Sequence, residues 1–356
     1  MPRSALLLTL GALACRPPLA FTDPIEPDGA FPLGEPSAEA LARYEAAADW
    51  SEAHHGLALL VLDGDRLVYQ RYAPGWDAST PHHLFSGTKS FSCALVASAQ
   101  AEGLLEYDDP AATWISAWQG DPEREEITLD HLLHFTSGLG QAWGKLTRDG
   151  MKARQRVEDK YALALELPLR SAPGERFEYG SSHLMVLGAA LTAALGQDPV
   201  EAMEERFLGP IGFRYAGWNR DPAGNPMLPY GAWTTGYEWL KFGALVRDDG
   251  RWQGERVLPE GALAACMEGS AANPAYGRTL WLNRDAEGAD LSAFASLEDQ
   301  GPILWGDGPA DLVAAAGYGD QRLYIAPTAG LVIARLGDGD RHFKDAELLR
   351  LLLGGE

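Results

Sequence analysis

Positive charge is scarce in this chain. Against 50 aspartates and glutamates stand 29 lysines and arginines, a formal net charge of −21 over 356 residues, and no lysine/arginine run interrupts the acidic balance. Nucleic acid and anionic membrane surfaces both need a basic footprint, so neither is an expected partner. A solvated acidic surface that aids solubility accounts for the excess. Cysteine is rarer still, at 3 residues. Cys93 and Cys266 are far apart, each in an apolar, alanine-rich stretch. By spacing they make neither a disulfide framework nor a metal site, and buried free thiols are the expectation. A long apolar run is missing too: Ala5–Ala14 is too short to span a bilayer.

That short run follows Arg3 and ends at Cys15, which gives residues 1–15 the shape of a secretion signal. Its ending, Ala12-Leu13-Ala14-Cys15, resembles a bacterial lipobox, in which the cysteine is lipidated after cleavage. Ordinary signal cleavage nearby is the alternative. Both export the protein to the periplasm or its membrane, and a lipid on Cys15 is the sole membrane attachment expected. Residues 16–40, rich in Pro, Gly and Asp without apolar periodicity, read as a linker. Beyond them, 46% hydrophobic and 10% aromatic residues over the whole chain fit a globular protein with ample material for a core.

Gly56–Ala73 contains two β-type runs around Asp63-Gly64-Asp65, a hairpin signal. Ser86–Glu102 turns helical, and Gly103 is placed to end the helix. Later helices are expected to open at Thr128, at Ser181 or Ser182, and at Thr234 or Thr235. Three short β-type runs return at Ala310–Gly317, Gln321–Pro327 and Gly330–Gly337, before a last helix over Lys344–Leu353. The expected fold class is α+β: an antiparallel sheet built from both chain ends, flanked by helices, in a catalytic domain over residues 41–352. A mainly helical subdomain, about 105–205, is inserted.

The apolar stretch Leu84–Val96, "LFSGTKSFSCALV", carries a lysine one turn after a serine. Lysine is almost never buried without a partner. Residues three apart on a helix share a face, so Ser86 and Lys89 can touch if the helix begins near Ser86. The helix N-terminus would disfavour a protonated amine and offer N–H groups to an oxyanion. Packing by Phe85, Phe91 and Leu95 would desolvate Lys89 and make it a base for the serine, while Gly87 keeps bulk from the approach. Taken by itself, the tetrapeptide is better read as a capping serine and a snorkelling lysine.

Longer segments decide between them. "HHLFSGTKSFSCALVASAQAEGLLEYDDP", "ITLDHLLHFTSGL", "PGERFEYGSSHLMVLGAAL", "GAWTTGYEWLKFGALVRDDGRW" and "AYGRTLWLN" follow one another in order. In these the chain resembles the serine β-lactamase-like hydrolases, which include class C β-lactamases, D-alanyl-D-alanine peptidases, β-lactamase-fold esterases and nylon-oligomer hydrolases. The resemblance implies a β-lactamase/transpeptidase-like fold, Ser86 as nucleophile, Lys89 as its base and Tyr179 as proton relay. It also implies oxyanion donors at the N–H groups of Ser86 and Tyr318, and no metal or organic cofactor. Two departures stand out. The family's Tyr-x-Asn is Tyr179-Gly180-Ser181, so that Ser181 either replaces the amide as a polar contact or caps the next helix. The third motif, a Lys-Thr-Gly or His-x-Gly, is Ala315-Ala316-Gly317, without a cation. A substrate carboxylate thus loses its anchor, and Gly317, with the turn to Gln321, resembles the esterase and nylon-hydrolase side.

Tyr230, Trp233 and Trp281 lie in matching segments, as pocket lining or as core. His131 and His134 have a helical spacing that could ligate metal, but no third-ligand motif accompanies them. His183 is close to Tyr179 in sequence and could border the site, though no motif requires it. The expectation is an exported serine hydrolase that cleaves a small ester or amide through an acyl-enzyme on Ser86. A D-alanyl peptidase or β-lactamase is the alternative within enzymes, and a non-catalytic binding protein, or a structural surface lipoprotein, the alternative outside them. The oligomeric state is not legible in the residues.

Overall fold

The computed structural model describes residues 21–142, 146, 157–291, 296–298 and 301–354. The leader and Cys15 lie outside the described residues. The expected hairpin forms as β1 (Gly56–Asp63) and β2 (Arg66–Tyr72), joined at Gly64, whose φ of +52° suits a residue without Cβ. β3 (Trp281–Leu282), β4 (Val313–Gly317), β5 (Gln321–Ala326) and β6 (Leu331–Gly337) complete a sheet of order β2-β1-β6-β5-β4-β3. Every pairing is antiparallel. Both chain ends thus meet at the β1–β6 pair, and the α+β reading holds.

Helices α1 (Ala38–Ala53), α4 (Gly236–Arg247) and α5 (Asp345–Leu353) pack around this sheet, while α2 (Phe91–Ala101) and α3 (Ser182–Leu195) lie in the helical region between its strands in sequence. Alternation along β6 separates its two faces. Arg335 points to α1, donating to Ser51 Oγ at 2.9 Å and to the His54 carbonyl at 2.7 Å. Its neighbours Ala334 and Leu336 face α4. A Cβ at Gly243 would stand 2.4 Å from Val332 Cγ1, so that glycine lets α4 lie against the strands. With both faces covered, β1, β5 and β6 read as nearly unbroken apolar runs.

Caps explain the helix starts. Thr128 accepts from His131 N before Leu129–Leu133, and Thr235 accepts from Glu238 N before α4. Ser181 occupies the cap position of α3 but makes no capping bond with its side chain. The helix expected from Ser86 is α only from Phe91; Phe85–Ser90 is a 3₁₀ turn. Gly103, at φ +70°, follows its end. The described part of the segment read as a linker forms no helix before Ala38, yet it is docked: Ile25 and Phe31 are buried, and Asp28 reaches Lys241 at 2.6 Å.

One expectation is overturned. Cys93 and Cys266 are not free thiols but a disulfide, their Cα atoms 5.9 Å apart across a sequence separation of 173. The short turn Ala265–Met267 folds back onto α2, a contact that spacing along the chain cannot reveal. The bridge ties the helix that follows the Ser86 turn to the region leading to β3. Replacing both cysteines by alanine is expected to cost about 2–4 kcal/mol, read as a lower denaturation midpoint. Oxidised protein lacking its leader should show no free thiol when unfolded.

Candidate active site

Ser86 sits half-buried on the 3₁₀ turn. With three residues per turn, positions i and i+3 eclipse, so the tighter winding sets Lys89 directly under Ser86. Hydrogen bonds to one residue hold the turn at both ends: Leu84 N donates to the Ala232 carbonyl at 3.0 Å, and Ala232 N to Thr88 Oγ1 at 3.1 Å. Phe85, just before Ser86, has φ +48°, a region that a bulky residue enters at a cost of about 1–3 kcal/mol. Gly87 serves a different end from the one expected. A Cβ there would meet Trp239 Cζ2 at 2.6 Å, so the glycine makes room for the indole beneath the turn rather than for an approaching substrate.

Lys89 is 3% exposed. Its amine donates to Ser86 Oγ at 2.8 Å and to the Pro229 carbonyl at 2.7 Å, and it stands 5.1 Å from the centre of the Tyr179 ring. Burial pushes its pKa down to about 7. Desolvation is the cause, not the end of an α-helix. Phe91, expected to help cover the amine, instead packs its ring on Phe213, Trp218 and Phe242.

Tyr179 enters from the segment before α3 and hydrogen-bonds Ser86. Its ring stacks on Trp281 at 5.6 Å and meets Phe135 edge-on at 5.3 Å. Burial raises the phenol well above its usual pKa, the Ser86 contact opposing in part, so the group keeps its proton near neutrality. His183 lies behind Phe135 and bonds to Ser137 Oγ and to the Glu178 carbonyl, both at 2.8 Å. Burial lowers its pKa to about 4, which leaves it neutral.

The end of β4 forms the opposite wall. A Cβ on Gly317 would fall 2.1 Å from the Leu84 carbonyl oxygen and 3.1 Å from Gly87 N, so only glycine lets this strand touch the nucleophile turn. Tyr318 follows, with its ring 80% exposed and 5.5 Å from that of Phe85. Ala315 and Ala316 are buried, and no charge stands at their positions. The nearby cation Arg322 is committed to Asp345, at 2.7 Å, and to the carbonyls of Gln321 and Gly317.

The remaining sequence candidates divide. Trp233 is half-buried and stacks on His83 at 4.6 Å. Ser181 is buried beside Tyr179. Trp281 is buried as the backing of Tyr179. Tyr230 points inward: its hydroxyl receives Lys160 Nζ at 2.5 Å and donates to the Leu146 carbonyl at 2.8 Å, which makes it a structural strut. Gln321 is buried and clamps the turn after β4 through Gly319 and Gly337. His131 bonds locally to Thr128 N, and His134 to Asp130 and, across the chain, to the Glu268 carbonyl. Sequence reasoning missed Pro229, Trp239 and Gln141. The carboxamide of Gln141 bonds Ser182 N at 3.2 Å and lies where a Cβ on Gly180 would be. A proline in "MLPYG" gives no hint that its carbonyl will hold the lysine.

Residues 41–352 match the family model described as Beta-lactamase. The chain belongs to the Beta-lactamase family. Members of this family are serine hydrolases. Among curated relatives it is similar to the D-alanyl-D-alanine-carboxypeptidase/endopeptidase AmpH of Escherichia coli (strain K12), 24% identical over 210 residues, 54% of this chain and 53% of that one. The chain thus aligns with about half the length of that relative. Among solved structures, a protein from Bacillus anthracis assigned as a 6-aminohexanoate-dimer hydrolase superposes with a TM-score of 0.69 at 18% identity, covering 89% of this chain and 84% of that one. EstCE1, a hydrolase with promiscuous acyltransferase activity, superposes with a TM-score of 0.65 at 16% identity, covering 89% and 99%. These likenesses establish the β-lactamase/transpeptidase-like fold.

The packing under the turn is open to a double-mutant test. Gly87→Ala is expected to destabilise this β-lactamase relative by about 1–3 kcal/mol through its clash with Trp239. Trp239→Leu in the same chain should recover part of that loss. Denaturation midpoints of the two single variants and the double variant give the coupling directly.

Proposed function

We propose that the protein hydrolyses a small ester or amide through an acyl-enzyme on Ser86. The observation that carries this is the buried amine of Lys89, 2.8 Å from Ser86 Oγ, with its pKa brought to about 7. In the neutral amine one N–H is held by the Pro229 carbonyl, and the lone pair takes the Ser86 proton as Oγ attacks the substrate carbonyl. The oxyanion rests on the N–H groups of Ser86 and Tyr318, a reading supported by the close approach of Gly317 to the turn. Tyr179, kept protonated by burial, donates to the departing oxygen or nitrogen and is resupplied from the Lys89 ammonium. Water, activated by the same pair, then releases the acid. This scheme needs no metal or organic cofactor.

The neutral Ala315-Ala316 pair favours a substrate with no obligatory carboxylate. The likeness to AmpH supports a D-alanyl peptidase as the second reading, and the missing cation weighs against it. Export is supported by the leader and by the disulfide, which persists in oxidising compartments. Lipidation of Cys15 remains part of this proposal, and intact mass of protein made with its leader would reveal it.

Two outcomes are expected from hydrolysis of a short-chain p-nitrophenyl ester. Ser86→Ala should lower kcat/KM by a factor on the order of 10³ or more while leaving the denaturation midpoint near that of the wild type. Equal rates in both proteins would remove Ser86 from the mechanism. In the wild type, kcat/KM should fall about tenfold per pH unit below about 7, as the Lys89 amine takes up a proton, and level off above it. A profile flat from acid to alkaline pH would exclude Lys89 as the base.

A further inference from the structure

A cavity of about 340 Å³ opens beside the nucleophile turn, walled by the rings of Trp76, His82, Phe85, Trp233 and Tyr318, with Asp338 at its edge. Two of these residues belong to the active site as well: Phe85 precedes Ser86, and Tyr318 follows Gly317. Their rings stand 5.5 Å apart, edge to face. Phe85 meets His83 at 4.0 Å, and His83 stacks on Trp233, so one continuous run of aromatic side chains leads from Tyr318 to Trp233. The volume is of the size that takes one ring with a short substituent.

The charge of the lining is one-sided. Among the described residues no lysine or arginine contributes to it, and Asp338 supplies an exposed carboxylate. Burial lowers the pKa of His82, which stays neutral near pH 7. Aromatic faces and a carboxylate attract a cation and repel an anion. Ring edges and faces also accept a neutral aromatic group.

We propose that this cavity receives an aromatic, carboxylate-free group of the substrate, and that it favours a ring bearing an ammonium over a neutral ring and a neutral ring over an anionic one. This rests on the reading of Ser86 as the nucleophile, and it places the selective part of the substrate on the Tyr318 side of that serine.

Three non-reacting probes test it by calorimetric titration of the Ser86→Ala protein: benzyltrimethylammonium, benzyl alcohol and phenylacetate. Benzyltrimethylammonium should bind about tenfold more tightly than phenylacetate, with benzyl alcohol between them. Asp338→Asn should shrink the advantage of the cation over benzyl alcohol, and Trp76→Ala should weaken both. In the wild type, benzyltrimethylammonium should inhibit p-nitrophenyl ester hydrolysis competitively. Phenylacetate binding as well as the cation, indifference to Trp76→Ala, or non-competitive inhibition would each overturn the proposal. If the wild type hydrolyses neither ester nor amide while cation binding still depends on Trp76 and Asp338, the cavity stands as a ligand site and the serine chemistry falls.

Discussion

The buried amine of Lys89 is the constraint around which the site is organised. An ammonium removed from water is costly, and the protein meets that cost by lowering the pKa and by giving the nitrogen two oxygen partners, Ser86 Oγ and the Pro229 carbonyl. Each partner is itself held. The turn that carries Ser86 is pinned to Ala232 and seated on Trp239. The Pro229-Tyr230 segment is gripped through the Tyr230 carbonyl by His83, and through the Tyr230 hydroxyl by Lys160. A second buried lysine thus stabilises the backbone that orients the first, its own pKa lowered by burial to about 8.

The aromatic cluster around Tyr179 follows from the same need. Trp281, Phe135 and Tyr276 surround the phenol and keep water from it and from the neighbouring amine. Exclusion of water lowers the lysine pKa and raises the tyrosine pKa, so the amine and the phenol titrate far apart within one site. On the other side of Ser86, the loss of charge at Ala315 and Ala316 goes with an apolar, aromatic surface at Tyr318 and Phe85. The two changes agree in chemistry: a site without an anchoring cation is suited to a group held by ring contacts.

Much of this was legible from residues in a row. The hairpin at Gly64, the caps at Thr128 and Thr235 and the three strands near the C-terminus are local choices, made by turn geometry, capping and β-branched content within a few positions. The Ser86–Lys89 contact was readable for the same reason, although the turn proved 3₁₀ and not α. Roles that depend on partners far along the chain were misread. Gly87 looked like clearance for a substrate and is clearance for Trp239; Tyr230, left open between pocket lining and core, is a strut for Lys160.

By itself, then, the sequence determined the element order, the acidic surface, the presence of a serine and a lysine one turn apart, and the absence of a cation at the third motif. Those properties live in composition and in short-range geometry. Tertiary structure alone decided that Cys93 meets Cys266 and that the Pro229 carbonyl receives the amine. It also decided that Gly317 touches the Leu84 backbone, and that Phe85, Trp233 and Tyr318 enclose one cavity. Each of these joins segments distant along the chain. Which residues meet is set by how helices and sheet close over a common core, and no spacing in the sequence records that.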